Sequence, residues 1–256
     1  MTLLQALFLF AAALLGGALN AVAGGGSFFS FPALLFAGVA PVSANATSTI
    51  ALWPGSLASL LAYRRELARR GIGGLLWLSL ISLVGGTLGS LLLLRTRDAT
   101  FARLVPFLLL LATLIFAFSG PALRWLRARG TSHGPPSAAR RLAVALSQLL
   151  IAVYGGFFGG GIGILMLAAL AVSGMEDIHE MNALKTLLAA IINGISVLIF
   201  IAAGVARWPE AAVMIAGAIA GGYGGAALGR RVEPLLIRRF VIVVGAALTI
   251  YFFVRG

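Results

Sequence analysis

The sequence predicts an all-α polytopic membrane protein built from two homologous halves. Three observations point there: apolar residues dominate, apolar runs of spanning length recur, and the second half repeats the first. Of 256 residues, 61% are hydrophobic and 10% charged, against about a quarter charged in ordinary soluble domains. No soluble core of this length hides so much apolar surface, whereas lipid does.

A helical span needs roughly 20 mostly apolar residues. Eight runs near that length lie at 3–23, 43–63, 74–94, 104–120, 142–158, 183–205, 211–229 and 240–254. The first is followed by Ala21-Val22-Ala23, which looks like a signal cleavage site. No Lys or Arg precedes it and the repeat includes it, so it reads as a retained span. The net charge of +12 comes mainly from arginines in short loops between runs. The positive-inside rule accounts for that pattern without nucleic acid. There is no cysteine, which excludes disulfides, thiolate nucleophiles and Cys metal sites.

Pro121 to Arg141 breaks the chain with five arginines, two prolines after His133, and glycines. This reads as a basic cytoplasmic linker over 121–141, between repeats at 1–120 and 142–256. The repeats match in order. Gly24-Gly25-Gly26 precedes Gly159-Gly160-Gly161 by 135 residues, Asn45-Ala46 and Thr49 precede Asn182-Ala183 and Thr186 by 137, and Gly85-Gly86 precedes Gly221-Gly222 by 136. Such duplication marks transporter folds.

After each triple glycine comes a short apolar piece, Ser27 to Val39 or Ile162 to Ser173. Each half is thus four main helices plus one short glycine-broken helix. If the short pieces do not cross, the halves are parallel and the 19 basic residues divide 11 to 8 between the two sides. If they cross, the halves are inverted and the division is 14 to 5. The positive-inside rule favours the inverted repeat, with both termini outside.

Successive glycines let a backbone unwind inside a membrane, which survives only where protein or water satisfies it. The helix that follows offers amide N–H groups and a dipole end to an anion. Gly24, Gly25, Gly26 with Ser27, and Gly159, Gly160, Gly161 are therefore candidate substrate contacts. Close helix packing through small residues is the alternative. Asn45 and Thr49 open one later span, and Asn182, Lys185 and Asn193 share a face of its counterpart. A membrane lysine is costly and reads as functional. Lys185 either meets an anion or snorkels toward Glu180. Glu176, Asp177, His179 and Glu180 read as a loop capping the next helix. No metal site is expected. Gly85–Gly89 and Gly221–Gly225 read as helix contacts. No Gly-Lys-Ser/Thr follows any glycine stretch, so no nucleotide cofactor is expected.

At these residues the chain resembles the TauE/SafE family of sulfite and organosulfonate exporters, also called TSUP. The resemblance rests on Ala23-Gly24-Gly25-Gly26-Ser27 with Phe31-Pro32-Ala33-Leu34-Leu35, and on Asn45-Ala46-Thr47-Ser48 through Trp53-Pro54-Gly55-Ser56. In the second half it rests on Gly155 through Gly163, Met181-Asn182-Ala183-Leu184-Lys185 and Gly221-Gly222-Tyr223-Gly224-Gly225. It implies a multi-pass inner-membrane carrier for small sulfur-containing or carboxylate anions, with substrate at the glycine turns and the Asn-Ala segments. The expected function is a secondary transporter, an exporter using alternating access coupled to an ion gradient. The rival readings are an anion channel and, more remotely, an intramembrane enzyme with Ser27 as nucleophile. Neither histidine lies in an apolar run, so no catalytic residue is assigned. The expected partners are a small anion, the lipid bilayer, a coupling proton or sodium ion, and a second copy in a homodimer. Nucleic acid is not expected.

Overall fold

The computed structural model describes residues 1–22, 25–63, 67, 72–129, 138–175, 177–228 and 234–255. These residues form ten helices and no strand. The first half holds α1 (Leu3–Val22), α2 (Ser27–Phe36), α3 (Pro41–Ala62), α4 (Ile72–Arg95) and α5 (Asp98–Arg129). The second holds α6 (Ala138–Phe157), α7 (Ile162–Val172), α8 (Ile178–Ala202), α9 (Trp208–Leu228) and α10 (Pro234–Arg255). The eight apolar runs fall on the longer helices, and the two short pieces are α2 and α7. Within the expected linker, α5 runs on to Arg129 and α6 begins at Ala138. Gly24, Glu176, His133 and the arginines at 64, 65, 69, 70, 230 and 231 lie outside the described residues.

By length and composition alone, four described stretches suffice to cross a membrane: Leu3–Asn20, Leu75–Arg95, Asp98–Phe118 and His179–Ala202. α3 is not among them, because Asn45, Thr47, Ser48 and Ser56 dilute its apolar character. All four of those side chains are buried, so α3 sits inside the bundle where such groups find partners. The outer helices show the reverse. Leu4, Leu80, Phe107, Leu150, Val243 and Ile250 are all exposed, as a lipid-facing surface requires.

The packing repeats when the halves are exchanged. The first helix of each half lies against the fourth helix of the other, α1 on α9 and α6 on α4. α3 and α8 pack on each other at the centre, and α5 and α10 pair on the outside. Glycines make the first two seams. Gly217 lies against the Phe10 carbonyl and Gly221 against the Leu14 carbonyl, while Gly89 lies against the Val153 carbonyl and Gly156 against the Gly86 carbonyl. A Cβ at any of these four points would overlap backbone, so the helices approach only because none is there. Serines and a glutamine reinforce the α4 seam. Gln148 Nε2 donates to Ser82 Oγ at 2.8 Å, and Ser90 Oγ donates to Ser196 Oγ at 2.7 Å.

Hydrogen bonds between helix ends fix directions. The Val42 amide donates to Asp98 Oδ1 at 2.9 Å, and the Arg207 amide to Thr47 Oγ1 at 3.1 Å. The beginnings of α3, α5 and α9 therefore lie at one end of the bundle. α1 runs parallel to α9, since Phe10 meets Gly217 and Leu14 meets Gly221. Late in α1, Asn20 Nδ2 donates to Ser56 Oγ, late in α3, at 3.3 Å. Thus α1 and α3 run the same way, and α2 carries the chain back between them.

Each short helix begins and ends at a left-handed glycine. Gly25 has φ 99° and Gly38 φ 83°, while Gly161 has φ 77° and Gly174 φ 84°. Both pairs are 136 residues apart. At the two far ends the Val39 amide reaches back to the Leu34 carbonyl and the Met175 amide to the Leu170 carbonyl, at 3.0 and 3.1 Å. That five-residue return needs the left-handed residue that glycine supplies cheaply.

Candidate functional site

A cavity of about 180 Å³ lies where the two short helices begin and α3 and α8 meet. That is below the volume that holds a drug-sized ligand and suits a small ion. Four elements build it. The α2 start contributes Gly25, Gly26 and Ser27, and the α7 start contributes Gly159, Ile162 and Gly163. α3 contributes Ser48, Thr49, Leu52, Ser56 and Tyr63, and α8 contributes Asn182, Lys185, Thr186, Ala189 and Asn193. The α8 positions are spaced 3, 4, 7 and 11 from Asn182, one stripe of a helix.

Both helix starts bring amides to the cavity. The first intrahelical bonds of α2 run from the Phe28 amide to the Gly25 carbonyl and from Phe29 to Gly26, at 3.0 and 3.1 Å. In α7 the Ile164 and Leu165 amides donate to the Gly161 carbonyl. The amides just before these are the orphan donors of a helix N-terminus. No side chain caps α2 or α7. Each N-terminus carries roughly half a positive charge, and two of them flank one space.

Lys185 adds a full charge. Its stem runs along Gly163, where a Cβ would come within 3.3 Å of Cδ. Nζ donates to Asn182 Oδ1 at 3.1 Å. An ammonium has three donors, so two remain for a ligand. Thr49 and Thr186 donate to the carbonyls of Asn45 and Asn182, at 2.9 and 2.8 Å. These two bonds are related by the repeat. Ser27 Oγ has no partner among the described residues. Among the described residues, no carboxylate lines the cavity.

Of the expected site residues, Gly25, Gly26, Ser27, Thr49, Gly159, Asn182, Lys185 and Asn193 line this one space. Gly24 is outside the described residues. Gly160, Gly161 and Asn45 are buried beside the cavity and do not line it. Asn45 Nδ2 donates to the Phe157 carbonyl at 3.0 Å, tying α3 to the last turn of α6. Asn20, Ser56 and Tyr63 were not anticipated. Asn20 is an amide late in the apolar α1 run, with Gln5 near the start of the helix as its other amide, and such a residue is a signal in itself. The acidic loop caps a helix: Asp177 Oδ1 accepts from the His179 and Glu180 amides at 2.7 and 3.4 Å. No group of three metal-ligating side chains occurs among the described residues.

The cavity's two ends differ. Tyr63, at the end of α3, and Asn182, early in α8, line one end. At the other, Phe158 begins a chain of edge-on rings through Phe31 and Phe101 to Phe157, with centroids 5.5 to 6.1 Å apart. Phe101 is in the first turn of α5. Aromatic packing therefore fills the path toward the end where α3, α5 and α9 begin.

An all-helical bundle with an apolar outside and a small polar chamber at two helix breaks has the architecture of a membrane transporter. The sulfite exporter TauE/SafE family model matches residues 9–252, and the chain belongs to that family. It is 31% identical over 249 residues to a "probable membrane transporter protein" of Haemophilus influenzae, covering 94% of this chain and 91% of that one. It is 27% identical over 244 residues to the probable membrane transporter protein YfcA of Escherichia coli K12, covering 94% and 87%. A probable membrane transporter protein, ORF9, of a Sinorhizobium species is 28% identical over 249 residues, covering 95% and 90%. No solved structure matches.

Asn45 gives this geometry a direct consequence. Asn45→Ala strands the Phe157 carbonyl in the interior, which costs about 1–3 kcal/mol. The variant is expected to melt at lower temperature in detergent while keeping a near wild-type Km for its transported substrate in vesicles. A raised Km at unchanged melting temperature would place Asn45 on the ligand instead.

Proposed function

We propose that this transporter moves a small oxyanion, sulfite or an organic sulfonate, through the cavity between the two short helices. One observation carries the reading. The space is lined by a lysine, amide and hydroxyl groups and two helix N-termini, with no carboxylate among its described lining residues. A buried cation needs a partner, and an arriving anion supplies it. The family description, sulfite exporter, supports a sulfur oxyanion as the cargo. The chain's own groups act by binding: the amides and Lys185 replace the hydration shell that the anion loses. No bond is made or broken.

Alternating access by an inverted repeat fits the helix directions. α1 and α3 run parallel, and α2 returns the chain between them, so each half crosses an odd number of times. That puts the Tyr63 end of the cavity beside the arginine-rich loops, on the cytoplasmic side of the inner membrane. The phenylalanine-filled end then faces outside, and export requires those rings to part. Coupling to a proton or sodium gradient completes the cycle. The inverted arrangement, with Arg97 outside and Arg238 and Arg239 toward the cytoplasm, predicts unequal labelling. Cysteine placed at 97 should react with an impermeant reagent in intact cells, and cysteine at 235 should not. Equal reaction at both would restore parallel halves.

The transport reading is tested with purified protein in vesicles, using sulfite with and without a pH gradient. Lys185→Met should insert normally and raise the Km for sulfite about tenfold or more, the loss expected for a charge-assisted contact of about 1.5–3 kcal/mol. Lys185→Arg should retain part of the affinity. An unchanged Km in Lys185→Met, normalised to inserted protein, would remove the lysine from the site.

A further inference from the structure

The second glycine turn has the backbone freedom to defeat its own purpose. Gly159 and Gly161 are both left-handed, with φ 81° and 77°. Between them, the peptide following Gly160 could rotate at little cost, because neither flanking residue has a Cβ. A rotated peptide would free the Gly160 carbonyl, a partial negative charge, beside the chamber. The structure holds that carbonyl in place. Tyr154 Oη donates to Gly160 O at 2.8 Å.

Tyr154 secures the turn at three points. Its own carbonyl accepts from the Phe158 amide at 2.9 Å and from the Gly159 amide at 3.2 Å. Its hydroxyl then reaches forward over the turn to Gly160. Its ring packs on Phe158, with centroids 6.2 Å apart, and Phe158 lines the cavity. Gly160 itself lies close to that ring, since a Cβ on it would meet the Phe158 ring at 2.7 Å.

The first turn meets the same need with a different residue. There Ser30 Oγ donates to the Gly26 carbonyl at 3.2 Å and pairs with Ser48 Oγ at 2.6 Å. By the 136-residue register, Tyr154 has Ala18 as counterpart and Ser30 has Met166. Each turn thus has one hydroxyl on a glycine carbonyl, from the residue before the turn in one half and after it in the other. Restraint of the carbonyl recurs where side-chain identity does not.

We propose that Tyr154 is a positioning residue of the anion site: by binding the Gly160 carbonyl it makes the second glycine turn present amides, and not a carbonyl, to the cargo. This rests on the anion reading of the cavity. Tyr154 touches no ligand itself, because it is not among the cavity's lining residues. Its effect should appear in affinity and not in turnover.

Tyr154→Phe keeps the ring and deletes the hydroxyl. In vesicles with sulfite as probe, the variant is expected to raise Km about fivefold, the size of one lost hydrogen bond, with maximal rate near wild type, while the unpaired Gly160 carbonyl also lowers the melting temperature. A hydroxyl that merely stabilises the fold would lower the melting temperature and leave Km alone, and that result overturns the proposal. Lys185→Met is run beside it. If Lys185→Met raises Km and Tyr154→Phe does not, the positioning role fails while the anion site stands. If neither changes Km, the anion site fails and the positioning role with it. Should Tyr154→Phe accumulate poorly, the sulfite concentration that half-maximally raises the melting temperature of the folded fraction replaces Km, under the same criteria.

Discussion

Breaking two helices inside hydrocarbon is the constraint on which the rest of this structure depends. Lipid offers no hydrogen bond, and each backbone group left unpaired there costs several kcal/mol. The breaks at Gly25 and Gly161 are tolerable only because protein surrounds them. α3 and α8 form the polar side of that enclosure, and the glycine seams draw α1 to α9 and α4 to α6. The small residues therefore serve two purposes. Some let helices close around the breaks, and a few let the backbone turn.

Enclosure creates the chemistry. Two helix starts facing one chamber concentrate positive potential in a low-dielectric space, where it acts more strongly than in water. Lys185 lies along Gly163 at the second of these starts. The scaffold is symmetric under exchange of the halves, yet the charge is not, since Ser48 and Thr49 stand where the second half has Lys185 and Thr186. That one-sided charge leaves the α8 face of the chamber more basic than the α3 face.

Much of the fold was legible because membrane helices write themselves locally. The eight apolar runs, the short pieces and the duplication needed only composition and spacing. The α8 stripe was equally readable, since Asn182, Lys185 and Asn193 share a face by helical periodicity alone. The triple glycines marked the breaks but not their register. Matching them as triplets gives 135 residues, whereas the left-handed residues Gly25 and Gly161 are 136 apart. Among the described glycines of the two groups, Gly25, Gly159 and Gly161 are left-handed and Gly26 and Gly160 are not, and sequence does not say which. Contacts between halves were not legible. Asn45 holds the Phe157 carbonyl, 112 residues away, a contact that its own segment does not foretell. Asn20 joins the cavity through Ser56, 36 residues on. Tyr154 left no trace, because a tyrosine in an apolar helix reads as packing until the carbonyl it meets is known.

The central claim is that one anion sits between the α2 and α7 starts beside Lys185. Selenite has the charge and shape of sulfite and a heavy atom that scatters anomalously. Crystals of the purified protein grown with selenite should show a single anomalous selenium peak within hydrogen-bonding reach of Lys185 Nζ and the amides of Ser27 or Gly163. A peak only at the surface arginines, or none in the chamber at saturating selenite, would contradict the account.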